Sequence, residues 1–342
     1  MARSNDVKIL KMLLQAGADP NLLDQNNESP LLRATERGDL PMVKSLLSHG
    51  AMVGLKRVYK KHDILLAVKN GNLVRVKYLF KNEGEHLIRF RDNHGNSLLH
   101  LAAEYGHLHI MEFLLKKGAK LHRKNQEGNT ALHLAVSSRK NHSVSLLINK
   151  GANINARNNS GESPLHLSIW SLVMIEKLID AGADIDARDN FGDTPLNHAV
   201  ESECVKAAEM LIKYGADINA KGFYGQTALH KACNSKVLVE LLLNHGADIE
   251  DIDDFGNTVL LSACEHGTAE VVQTLVDIDA NVNIVNDLGE TPLHKAVERN
   301  SQKIVSLLLG KGARPDIQNN VGVTPLHIIT NVMEGEDYRV LI

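Results

Sequence analysis

Aromatic residues are scarce in this chain. They make up 4% of its 342 residues, with a single Trp. A core of packed rings is thereby excluded, and Leu, Ile, Val and Ala must supply the buried surface. Cysteine is scarcer still. Cys204, Cys233 and Cys264 are too few and too clustered for a disulfide framework, and they suit a reducing compartment. No run approaches the ~18 apolar residues of a membrane-spanning helix. Met1 to Asp6 holds no apolar signal core. A cytoplasmic location is expected, with signal-independent export to a host cell as the alternative. Catalytic signatures are missing too: there is no nucleophile elbow, no P-loop, no dinucleotide fingerprint and no HExxH zinc motif. The net charge is only −3, but it is unevenly spread. Residues 1–160 carry 25 Lys+Arg against 13 Asp+Glu, and residues 161–342 carry 13 against 28.

What the chain has is one unit written repeatedly. Thr291-Pro-Leu-His294 recurs as Thr324-Pro-Leu-His327 and Ser163-Pro-Leu-His166. Thr130-Ala-Leu-His133, Thr227-Ala-Leu-His230, Ser97-Leu-Leu-His100 and Thr194-Pro-Leu-Asn197 are variants, and weaker copies start at Ser29, His62 and Thr258. The ten starts, at 29, 62, 97, 130, 163, 194, 227, 258, 291 and 324, are 31 to 35 residues apart. A second marker, Gly-Ala-Asp/Asn-Ile-Asn/Asp-Ala, follows about twenty residues into most units, as at Gly151, Gly182 and Gly215. Each part has a physical reason. Ser or Thr at the unit start is a helix N-cap, and the Pro after it suits the first helical position. Ala in the first helix lets units approach, while Leu and Ile at helical spacing in the second supply most of the burial. An Asp/Asn-x-x-Gly turn before the next cap reads as the tip of a projecting hairpin.

These residues resemble the ankyrin repeat family, over roughly residues 6–342. The resemblance implies an all-α repeat solenoid of helix-turn-helix units with projecting hairpins, stacked as a single array because no unit can bury its own apolar face. It also implies that the repeat histidines, His100, His133, His166, His230, His294 and His327, bond the capping hydroxyl and neighbouring backbone. A role for them in metal binding is not expected.

Several units depart from the pattern. Those starting at Ser163 and Thr227 are two residues short, between Ile169 and Val173 and between Cys233 and Val237, which predicts a tighter turn between their helices. The hairpin Val53–Lys61 has lost its turn Gly. Asn5–Gln15 reads as the second helix of a partial unit and Asp337–Ile342 as the start of another, so incomplete caps are expected at both ends and an exposed apolar face at one or both, with end-to-end self-association as one outcome.

The function expected is that of a non-catalytic scaffold or adaptor, with no cofactor. The resemblance places its protein partner on hairpin tips and on the concave face of the first helices. Candidate contacts are Phe191, Phe223, Tyr224, Asp254 and Phe255 at three successive tips, with Trp170 and Tyr105 at variable positions of two first helices. Packing of each Phe on its neighbouring hairpin is the competing reading. Lys56, Arg57, Lys60 and Lys61 form a basic cluster on one irregular hairpin. Nucleic-acid binding by the basic half is the runner-up, disfavoured by the acidic half and by the absence of a recognition motif. A third reading makes the chain the targeting arm of a longer effector or enzyme.

Overall fold

Each capping hydroxyl starts a short helix, and each helix packs against the next. The computed structural model describes residues 2–22, 24, 29–37, 39–51 and 58–332; the side chains of 2–5, 36, 58–61, 331 and 332 are not included. The chain forms two compact units, Met1–Lys120 and Leu121–Ile342. In the first, the helix Ala2–Gln15 precedes the pairs Pro30–Glu36 with Leu40–Ser48, Val58–Lys69 with Leu73–Glu83, and Leu98–Tyr105 with Leu108–Lys116. In the second, successive pairs run from Ala131–Ser137 with Asn141–Asn149 to Pro292–Glu298 with Gln302–Gly310, followed by Pro325–Val332. No strand occurs among the described residues, only isolated bridges such as Ile252 to Thr258. The expected all-α repeat architecture is therefore the one observed.

The core is aliphatic. In the second unit the second helices bury Val144, Leu147, Leu178, Leu211, Leu242 and Leu275 completely, and the first helices bury Ala135, Ala199 and Ala263 beside them. Among the described residues Phe80, in the first unit, is the one Phe, Tyr or Trp that is buried, edge-on to Phe113 at 5.2 Å.

Histidines tie one repeat to the next. His133 Nδ1 accepts from the Thr130 backbone N–H at 3.1 Å, and Nε2 donates to the Glu162 carbonyl of the following hairpin at 3.2 Å. His166, His230 and His294 repeat this with the carbonyls of Asp193, Asn257 and Val323. Burial pushes the imidazoles of His133 and His230 below their ordinary range and that of His166 down to about 4, so these rings are neutral at pH 7 and free to play donor on one nitrogen and acceptor on the other.

Two expectations are corrected. The two missing residues near Ser163 and Thr227 do not tighten an inter-helix turn between full helices; they remove the end of the first helix. It shrinks to the 3-10 turn His166–Ser168 in one unit and to Ala228–Lys231 in the other, against seven residues in Pro195–Glu201 and Val259–Glu265. Trp170 consequently lies on the turn after the helix, not on it. Lys60 and Lys61 fall within the helix Val58–Lys69 rather than on a hairpin, since no Gly, Pro or capping residue stands between Leu55 and His62 to begin the helix later. Lys56, Arg57 and the segment Asp337–Ile342 lie outside the described residues. Near the two ends, Met12 and Leu326 are both about two-thirds exposed, and Ile9, Leu13 and Ile329 are also exposed.

Candidate protein-interaction surface

The hairpin tips of the second unit are built by one device. The Asx side chain that opens each tip accepts two backbone N–H groups, two and four residues on. Asp189 Oδ1 accepts from Phe191 and Asp193, Asp253 Oδ1 from Phe255 and Asn257, and Asn286 Oδ1 from Leu288 and Glu290, all at 2.8 to 3.0 Å. Each tip then hydrogen-bonds to its neighbour: Asp254 N donates to the Tyr224 carbonyl at 2.9 Å and Asp287 N to that of Phe255 at 3.1 Å. The closing glycine makes this approach possible. At Gly256, φ is +74° and a Cβ would stand 2.5 Å from Asp287 Oδ1.

One tip breaks the rule. Gly222 stands where the Asx residue should be, and Asp193 of the preceding hairpin substitutes for it, accepting from Phe223 N at 3.1 Å. Any side chain at 222 would collide with that carboxylate. The same Asp193 accepts from Asn197 Nδ2 and pairs with Lys231 Nζ at 3.2 Å. Asn197 replaces the repeat histidine of this unit, so Asp193 supplies the link between repeats that the imidazole supplies elsewhere. It is joined by Asp189, bonded to His198 Nε2 at 3.0 Å. Burial works against the Asp189 charge, yet the His198 hydrogen bond and the two backbone N–H groups outweigh it and hold this carboxyl below the ordinary range. Asp189, Asp193 and His198 are the one cluster among the described residues whose donor atoms could converge on a metal, lying within 4.8 Å of one another. Those atoms already serve Phe191, Phe223, Asn197, Lys231 and each other, and a metal would have to break those bonds.

The aromatic candidates meet at these tips. Ring centroids are 5.2 Å apart for Phe191 and Phe223, 3.8 Å for Phe223 and Tyr224, and 5.5 Å for Tyr224 and Phe255. All four remain between 37% and 60% exposed. Packing on the next hairpin and exposure to solvent therefore coexist. Tyr224 takes a positive φ of 55°, and Asp254 sits over Gly225. Two residues that the sequence reading passed over continue the row. Leu288 and Val321, 62% and 81% exposed, occupy the slot of Phe191 and Phe255, two residues after the Asx. That spacing was the signal available. Trp170 is 58% exposed on its own turn. Tyr105, in the first unit, ends its helix and stacks on His107 at 6.3 Å.

Behind the tips lies a groove of about 660 Å³. Phe255 and Leu288 of the tips line it. The ends of the helices Pro195–Glu201 and Val259–Glu265 also line it, as do Lys231 and Lys295. Both lysines are spent in ion pairs. Lys231 meets Asp193 and also Glu201 at 3.3 Å. Lys295 meets Glu290 at 2.6 Å, with Glu298 and Glu265 just under 4 Å away. Burial disfavours the charge on Glu290, but the Lys295 and Asn286 hydrogen bonds prevail and keep its carboxyl below the ordinary range.

The model of three tandem ankyrin repeats fits this chain at residues 1–82, 61–125, 118–189, 157–222, 171–253, 220–286, 237–320 and 278–332. The chain belongs to the ankyrin repeat family. Among solved structures it is similar to the ankyrin repeat domain of Bcl-3, described as a unique member of the IkappaB protein family. The identity is 32%, the match covers 61% of this chain and 100% of that one, and the TM-score is 0.54. In all, 559 solved chains match, so the fold alone selects no partner. No curated protein matches. Ankyrin repeats are in general protein–protein interaction modules, and no helix among the described residues is long and apolar enough to cross a membrane.

Proposed function

We propose that this chain is a non-catalytic scaffold or adaptor that holds a protein partner against the hairpin tips of residues 189–322 and the groove behind them. The aromatic row carries this reading. Four rings at three successive tips are half-exposed to solvent, yet their positions are set by ring-on-ring contacts and by backbone hydrogen bonds between the tips. Large aromatic side chains that are already ordered before binding lose little entropy on contact, and such residues dominate interface energetics. Asp254 adds a polar contact within the row, and the exposed Trp170, on its own turn, is a separate apolar contact. The same surface would serve if the chain is the targeting arm of a longer protein. In the basic half, Arg75 and Lys117 are paired with Asp63 and Glu85, which leaves these two cations less available to phosphate.

The test is affinity capture from a lysate of the source cell, comparing wild type with a Phe191→Ala/Phe223→Ala/Tyr224→Ala/Phe255→Ala variant. A protein captured by wild type and lost by the variant, with the helical circular dichroism of the two matching, is the expected result. Recovery of salt-sensitive nucleic acid with no captured protein would overturn the reading. Self-association through the exposed faces at Met12 or Leu326 is tested separately, by whether sedimentation velocity depends on concentration.

A further inference from the structure

The groove behind the tips has a chemistry of its own, set by a gap in its wall and by its charge. The gap comes from the short repeat. The helix Ala228–Lys231 stops where its neighbours Pro195–Glu201 and Val259–Glu265 run on for three more residues. Residues Ala232, Cys233, Asn234 and Ser235 of the resulting turn line a notch in the groove. Glu201 and Glu203 stand on one side of that notch, and Glu265 on the other.

The charge is one-sided. Five carboxylates line the groove, Glu201, Glu203, Asp253, Glu265 and Asp287, against two lysines. Both lysines are about nine-tenths buried and already neutralised. Glu203 and Asp287 are exposed, and no ion pair to either is seen among the described residues. The whole stretch 237–294 contains twelve Asp and Glu, Asp253, Glu265 and Asp287 of the lining among them, and not one Lys or Arg. A cavity with low-dielectric walls and charge of one sign concentrates ions of the other. Phe255 and Leu288 give the lining an apolar part, and both are more than half exposed.

We infer that this groove takes an extended partner segment in which an Arg or Lys side chain enters the notch between Glu201, Glu203 and Glu265 while an adjacent large apolar side chain rests on Phe255 and Leu288. This rests on the scaffold reading and names the kind of partner it needs. The volume of about 660 Å³ is that of a site for two or three side chains. An arginine suits it best, because its planar fork can meet two carboxylates at once. A nucleic-acid strand is repelled by the same charges.

The experiment uses the full chain and a defined probe. Fluorescein-labelled peptides of the form Gly-Ser-X-Z-Ser-Gly, with X as Leu, Phe, Trp or Ser and Z as Arg, Lys, Gln or Glu, are titrated by fluorescence anisotropy. The peptides with apolar X and Arg or Lys at Z are expected to bind about tenfold or more tightly than those with Gln or Glu there, and to weaken several-fold as salt rises. Asn234→Trp fills the notch from an exposed position without altering charge, and it is expected to abolish binding. Glu203→Gln/Asp287→Asn, outside every ion pair seen, is expected to weaken binding several-fold with helical content unchanged. The inference is overturned if no peptide binds, if affinity ignores Z, or if Asn234→Trp binds normally while remaining folded. It is also overturned if free spermidine competes as well as the peptides and X has no effect, which would make the groove a simple cation trap. Capture of a lysate protein through the aromatic tips, with no peptide bound here, would leave the scaffold reading standing and remove only this one. Loss of both would remove both.

Discussion

Asp193 carries more of the structure than any sequence motif suggests. Its carboxylate serves the Phe223 backbone, the Asn197 amide and the Lys231 ammonium together. Asp193→Ala would strand a buried lysine with only Glu201 for company, and breaking a buried pair in this way costs about 3 kcal/mol or more. Asp193→Asn, which keeps the acceptor for Phe223, is expected to lose less; urea denaturation of both variants measures the difference. The buried histidines predict a pH dependence. The His166 imidazole is held at about 4 against an ordinary 6.5. Above 6.5 it is neutral folded or unfolded and contributes nothing. As pH falls from 6.5 towards 4 the unfolded chain takes the proton first, so stability is lost across that window, by roughly 3 kcal/mol from this ring alone. His133 and His230, shifted the same way, deepen the loss. A urea midpoint that does not fall between pH 7 and pH 4.5 would contradict this.

At the scale of helices and hairpins, much was legible because it is local. A Thr followed three residues later by His predicts a cap and a histidine bond within one turn, and Thr291 with His294 forms both. The Asx-x-x-Gly tips were readable for the same reason. What was not legible depended on neighbours in space. The absence of two residues near Cys233 reads along the chain as a shorter turn. Whether the turn or the helix gives way is decided by packing, and here the helix did, opening the notch. Gly222 looks like a lost Asx residue until Asp193 is seen reaching across from the previous hairpin. Leu288 carries no ring to mark it as an anchor, although its slot is that of Phe255, two residues after the Asx. Two outcomes follow. Leu288→Ser is expected to leave thermal unfolding within about 0.5 kcal/mol of wild type, as an exposed position should. Inserting two helix-forming residues after Ala232, to match the length of Val259–Glu265, is expected to preserve the fold and close the notch, which crystallography or loss of peptide binding would show.

For the molecule as a whole, charge is separated along the chain while the fold is repeated. Repeats with the same backbone thus present different fields, basic before residue 160 and acidic after it. Long-range attraction acts on encounter more than on the bound state. A partner that uses the groove is therefore expected to associate about tenfold more slowly when salt is raised from roughly 0.05 to 0.3 M, with a much smaller change in dissociation. Stopped-flow mixing separates the two rates. The lysine-free stretch 237–294 has a chemical corollary. Between Lys236 and Lys295 there is no primary amine and no tryptic site. Enzymes that acylate or ubiquitinate lysine have nothing to act on there, and the two lysines that line the groove are held in ion pairs. Trypsin would release the stretch as one long acidic peptide carrying Phe255, Glu265 and Leu288 together. A partner seated in the groove would meet more free carboxylates than free amines there, so carboxylate-directed cross-linkers are expected to catch it more readily than amine-directed ones.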